Sequence, residues 1–186
     1  MMMTSTFRRH AANGFTLIEL LIVVIIIAIL AAIAIPQFSN TSSDAQESAA
    51  IANLTSMRSA IELYRVQHNN TYPAVKTSGG GSGCTGGTAG DGDAGSSEAF
   101  VDQLTKYSNA TGQTCSVAAA GYIYGPYLRA IPVEPITNAA DVVVAANATT
   151  NAAGADTKGW RYETGANALT INSTKTARDN KAYNLK

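Results

Sequence analysis

The sequence predicts an α+β chain in which one long N-terminal helix, hydrophobic in its first half, packs by its second half on a small antiparallel β-sheet. Three observations carry this. An apolar run occupies Phe15 to Ile35 almost without interruption. A helical period of apolar residues then continues to about Gln67. The second half of the chain holds short segments rich in Tyr, Trp and β-branched residues, bounded by Gly, Pro and Asn turns. The organisation that follows is a short leader (1–14), an apolar helix (15–36), its amphipathic continuation (37–70) and a head (71–186) with a Gly-rich loop at 79–95. With 186 residues there is room for one compact domain beyond the helix, and no repeat at solenoid spacing is visible.

Charge excludes one function class. Thirteen basic and 13 acidic residues cancel, leaving no basic field to neutralise phosphates, so specific nucleic-acid binding is not expected. Only 14% of residues are charged, which suits the weakly charged surface of an exported protein.

The apolar run decides the class. Only Thr16 and Glu19 interrupt the 21 residues from Phe15 to Ile35. At the helical rise this is roughly 30 Å, the thickness of the hydrocarbon core of a bilayer. The run is longer than a secretory signal core, and no small-residue cleavage site follows it. Arg8, Arg9 and His10 precede it, which predicts a single pass through the inner membrane with a cytoplasmic N-terminus and an exported head.

Glu19 is the most informative residue. A carboxylate inside such a span costs about 2.5–3.5 kcal/mol, so it normally has a partner or a role. The span itself offers no base. Cleavage after Gly14 would supply one, the free α-amine of Phe15, either within one helix or between staggered parallel helices, where Glu19 would set the register. A side chain that snorkels to water is the simpler alternative.

Here the sequence resembles a known family. Gly14-Phe15-Thr16-Leu17-Ile18-Glu19, with Arg8 and Arg9 before it and Pro36 after the span, is similar to the prepilin peptidase site of type IV pilins and type II secretion pseudopilins. The resemblance implies a pilin-like fold, cleavage between Gly14 and Phe15 by a membrane prepilin peptidase, N-methylation of Phe15, and assembly through Phe15 and Glu19. It also implies partners: other copies in a filament, an inner-membrane assembly platform and ATPase, and minor pseudopilins or pilins.

Pro36, lacking a backbone donor, is expected to kink or locally melt the end of the span. Beyond it, Ile51, Leu54, Arg58, Ile61 and Tyr64 fall near one face, with Met57 alongside, as a helix half-buried in its own head requires. His68-Asn69-Asn70 ends the helix, with His68 expected at the surface. The run YRVQHNNTYP resembles the helix exit of major pseudopilins.

Nine glycines in the 17 residues from Gly79 to Gly95 predict a mobile, solvated loop, because so little apolar area cannot offset chain entropy. Asp91 and Asp93 within it lack the further ligands of a calcium loop. Cys84 and Cys115, outside any metal-type spacing, are expected as a disulfide in an exported chain, closing a loop worth on the order of 3 kcal/mol; two separate thiols are the alternative. Ser96-Ser97 caps a short helix running to about Tyr107. Strands are expected at Gly121 to Tyr124 and Val142 to Ala146, and a hairpin at Trp160 to Glu163 and Ala168 to Asn172.

GPYLRAIPVEP and GWRYETG resemble the sheet entry and terminal hairpin of pseudopilins. Such relatives often bind calcium near the C-terminus, but here that region, TKTARDNKAYNLK, has Asp179 as its one carboxylate side chain, so no cofactor is expected and calcium is not supported. Catalysis is not expected either. His10 and His68 are the two histidines, and Glu134, Asp141 and Asp156 are scattered. Asn109-Ala-Thr111 and Asn147-Ala-Thr149 match a glycosylation pattern that so Asn- and Thr-rich a chain generates by chance. The function that follows is a structural subunit of a type II secretion pseudopilus. The alternative is a type IV pilus pilin for adhesion, twitching or DNA uptake, and a membrane-anchored enzyme comes last.

Overall fold

The long helix, α1, runs from Leu17 to Gln67 in a computed structural model that describes residues 15–146, 157–177 and 180–183. The chain divides into two units, one ending at Ser43 and the other from Asp44 onwards. In the first unit, Leu17 to Ile35 form a helix long and apolar enough to cross a membrane, with none of it buried inside the chain. Pro36 lies within α1 rather than at a break in it, so the local melting expected there is not seen.

In the second unit the buried face of α1 is Ala50, Leu54, Met57, Ile61, Tyr64 and His68. These recur at steps of four and three, so they form one stripe. The expected face is corrected at two positions: Ile51 is 40% exposed and Arg58 is exposed, its guanidinium reaching over to donate to the Leu169 carbonyl, while Met57 sits at the centre of the stripe. Asn69 and Asn70 end the helix in the left-handed region (φ 51° and 61°), which Asn tolerates better than other non-glycine residues. The Asn70 N–H donates to the Arg65 carbonyl at 3.0 Å, satisfying a terminal acceptor as a Schellman-type turn does.

Next come α2 (Ser97–Thr105), β1 (Tyr107–Ser108) and β2 (Thr114–Cys115), then β3 (Val142–Ala145), β4 (Trp160–Glu163) and β5 (Ala168–Ile171). Ser96 caps α2, its side chain accepting from the Ala99 N–H at 3.0 Å. The helix stops short of Tyr107, which pairs in β1 with Cys115. In the second sheet β4 and β5 form the expected antiparallel hairpin, in register Trp160↔Ile171 and Tyr162↔Leu169. These four side chains are essentially fully buried. They meet Phe100 and Leu104 of α2 and the α1 stripe in one core, each contributing about 1.5–3 kcal/mol by burial.

Two strand expectations are corrected. β3 pairs with β4 in parallel, Val142 opposite Trp160, so this sheet is mixed rather than antiparallel. Gly121 to Tyr124 forms isolated bridges, Ala119 to Tyr122 and Ser108 to Tyr124, instead of a strand.

The Gly-rich loop is corrected in part. Most of it is exposed as expected, but Gly79, Gly90 and Gly92 are buried and hydrogen-bonded. Ser78 N–H donates to Gly92 O at 2.8 Å, Gly90 N–H to Thr114 O at 3.0 Å, and Thr114 N–H to Ser78 O at 2.9 Å. Glycine is needed for this closeness: a Cβ on Gly92 would lie 2.2 Å from Ala99 N, and one on Gly90 would lie 2.6 Å from Ser78 O. Missing side chains let backbone pack on backbone here, and the hydrogen bonds offset the entropy that composition alone charges against it.

Candidate assembly site at the start of the helix

Thr16 is the residue before the first turn of α1, and Glu19 is its third helical residue. The Thr16 N–H and hydroxyl both donate to Glu19 Oε2, at 2.9 and 2.7 Å, and the Glu19 N–H donates back to Thr16 Oγ1 at 3.3 Å. This is a reciprocal capping box, in which each side chain satisfies an amide that the helix start leaves without a partner. Sequence reasoning missed Thr16, although Thr-x-x-Glu before an apolar run carries the signal. The consequence is mechanical. Glu19 is held at the helix start, with its carboxylate turned towards the N-terminal end of the chain rather than along the span.

Around it stands an apolar face that no described residue covers. Phe15 is 85% exposed, Leu17 84%, and the Leu, Ile and Val side chains from Ile18 to Ile35 half or more. Water cannot be the lasting neighbour of such a rod. Its apolar area demands either lipid or other apolar helices. Gly14, the expected cleavage position, lies outside the described residues, as do Arg8, Arg9 and His10.

Apart from Pro36, the other expected positions among the described residues lie in the second unit. Cys84 and Cys115 are bridged, with Cα atoms 5.4 Å apart, which ties the Gly-rich loop to β2. His68 is a correction: it is 2% exposed rather than at the surface. Its ring stacks on Tyr64 at 3.8 Å. Nδ1 lies 2.9 Å from the Tyr64 carbonyl, which can only accept, so Nδ1 carries the proton, and Nε2 accepts from the Ser108 hydroxyl at 3.1 Å. Burial pushes the imidazole pKa down, an effect that Lys76 reinforces and that hydrogen bonds with the Tyr64 and Asn109 backbone oppose. Burial likewise pushes the Tyr127 hydroxyl up to about 12.

The scattered carboxylates have local duties. Glu134 is fully buried and accepts from the Ile136 N–H, the Thr137 N–H and the Thr137 hydroxyl at 2.7–2.9 Å, so it shapes its own turn. Asp141 pairs with Lys158 at 3.3 Å. Among the described residues, no group of three or more His, Cys, Asp or Glu side chains could hold a metal ion. Asp156, Asp179 and Asn147 lie outside the described residues.

The family described as "Prokaryotic N-terminal methylation motif" matches residues 9–35, which is the leader end, Thr16, Glu19 and the apolar rod. The chain has the N-terminus of a type IV pilin-like protein. Relatives of both branches share it. The type II secretion system core protein G of Pectobacterium carotovorum is 32% identical over 67 residues, covering 36% of this chain and 42% of that protein. A fimbrial protein of Neisseria meningitidis serogroup B is 44% identical over 71 residues, with coverage of 36% and 42%. A type IV major fimbrial protein FimA of Dichelobacter nodosus is 59% identical over 50 residues, with coverage of 27% and 32%. The matches thus span under half the length of these pilin-like relatives. No solved structure matches the chain.

Proposed function

We propose that this protein is a structural subunit of a type II secretion pseudopilus, cleaved between Gly14 and Phe15, methylated on Phe15, and polymerised through its first helix. The observation that carries the reading is the rod from Leu17 to Ile35, exposed along its whole length, with one carboxylate held at its start by Thr16. Such a rod has two stable homes, the bilayer before assembly and a bundle of identical rods after it. Moving between them exchanges lipid contacts for helix contacts at little apolar cost. The Phe15 amine of one subunit then meets Glu19 of its neighbour and fixes the stagger, with energy from an assembly ATPase on the inner-membrane platform. The work is structural, and no catalytic role is assigned.

The pseudopilus reading draws on the segments GPYLRAIPVEP and GWRYETG of the head and on the secretion relatives. A second reading, a type IV pilus pilin, is favoured by the 44% and 59% identities to fimbrial proteins. Deleting the gene separates the two: secreted enzymes retained in the periplasm support the first, and lost surface filaments with normal secretion support the second.

Both readings share one test. Glu19→Ala should leave membrane insertion and processing intact, yet remove most filaments, because losing one partner of a buried ion pair costs on the order of 3 kcal/mol at each contact. Filaments at the unmutated level, counted by electron microscopy, would overturn the proposal.

A further inference from the structure

β3 is the outer strand of its sheet, in the order β3–β4–β5. Its ladder bonds fall on alternate residues. The Asp141 carbonyl accepts from the Trp160 N–H at 3.0 Å, and the Ala145 carbonyl from the Thr164 N–H at 2.9 Å. In the parallel register of Val142↔Trp160 to Ala145↔Glu163, Asp141, Val143 and Ala145 therefore turn their peptide groups to β4. The N–H and C=O groups of Val142 and Val144 face the other way. Among the described residues no strand lies on that side.

That side opens into a groove of about 760 Å³, a volume that suits a bound segment or ligand. Its walls are α2, through Glu98 and Val101, and the stretch Arg129 to Ile131, while Val142 to Val144 form the third side and no residue of β4 or β5 lines it. The charge is uneven. Asp91, Glu98, Asp102 and Asp141 line the groove against Arg129 and Lys158. Asp102 is taken up by Lys106 at 2.7 Å and Asp141 by Lys158. Asp91 and Glu98 are exposed at its rim, in excess over Arg129.

We propose that this groove binds an extended, lysine- or arginine-bearing segment of a partner polypeptide, added as a strand on the free edge of β3. An open edge is a template for one more strand. Main-chain bonds to Val142 and Val144 supply the attachment, and the apolar walls at Val101 and Ile131 take alternate side chains. Asp91 and Glu98 select the cation. The inference is independent of the filament reading, since it concerns the head alone.

The test uses the full chain in detergent micelles with two short synthetic peptides, one of alternating Val and Thr with Lys at both ends, the other with Glu in place of Lys. The lysine peptide should protect the Val142 and Val144 amides from hydrogen exchange, and the glutamate peptide should bind about tenfold or more weakly. Val144→Pro should abolish that protection, because it removes a donor on the free edge while the β3–β4 bonds remain. Glu98→Lys, on the exposed side of α2, should reverse the preference between the peptides, and it decides the matter if the proline variant fails to fold. Equal binding of both peptides, or no protection at β3, would overturn the proposal. So would edge protection that rises with protein concentration without peptide, which would assign the edge to a second copy of the chain.

Discussion

Replacing Gln103 by Met tests how the head holds its loops. Gln103 is fully buried. Its Oε1 accepts from the Ala74 N–H at 2.7 Å, and its Nε2 donates to the carbonyls of Lys76 at 3.0 Å and Gly112 at 2.9 Å. One side chain thus ties the exit of α1, the start of the Gly-rich loop and the β1–β2 turn to α2. Methionine keeps the length and removes both polar ends. The Ala74 donor and two carbonyls are then left without Gln103, and an unsatisfied buried group costs about 1–3 kcal/mol. Taking the donor in full and the acceptors in part gives a loss of about 3 kcal/mol, a large share of a typical domain's stability. For a chain of this size that is a fall in Tm of about 10 °C. The assay is the fluorescence of Trp160, the sole tryptophan and fully buried, during heating of the full chain in detergent. A shift below about 2 °C, less than 1 kcal/mol on the same scale, would refute the reasoning and mean that these loops are held elsewhere.

Two further outcomes are expected. Because the folded pKa of His68 is depressed, the unfolded chain binds the extra proton first as pH falls. The stability His68 contributes is full above about pH 6.5 and is lost as pH drops through the folded value. The urea midpoint should therefore fall between about pH 7 and pH 5 in the wild type and stay flatter in His68→Phe, and equal slopes would contradict the buried neutral ring. For the exported protein, a thiol label should react at Cys84 and Cys115 only after reductant; reaction without reductant would mean that the bridge of the structure does not form in the cell.

The helix was legible in the sequence because its signals are local. A run of apolar side chains, a lone Glu19 and a period ending at Asn69-Asn70 each announce themselves within a few residues. The β4–β5 hairpin was legible for the same reason, from alternation around a Gly165 turn. What failed was set by distant contacts. His68 reads as polar and hence exposed, but Ser108 and the rings of Tyr124 and Tyr127 close over it, and nothing near His68 encodes them. The Gly-rich loop reads as entropy, yet Thr114, Asp102 and Ala99 supply the partners and close surfaces it packs on. The parallel direction of β3 lies in its pairing with β4, Val142 opposite Trp160, and alternation within a strand cannot report the direction of its neighbour. At the assembly site the sequence singled out Glu19, and the structure adds Thr16 as the residue that holds it.

The most direct test of the account is the intact mass and N-terminal sequence of the protein recovered from membranes and from sheared filaments. The expected product in both fractions is a chain beginning at Phe15 with one methyl group on its amine. A filament-borne chain that still begins at Met1, with no free Phe15 amine to meet Glu19, would contradict it.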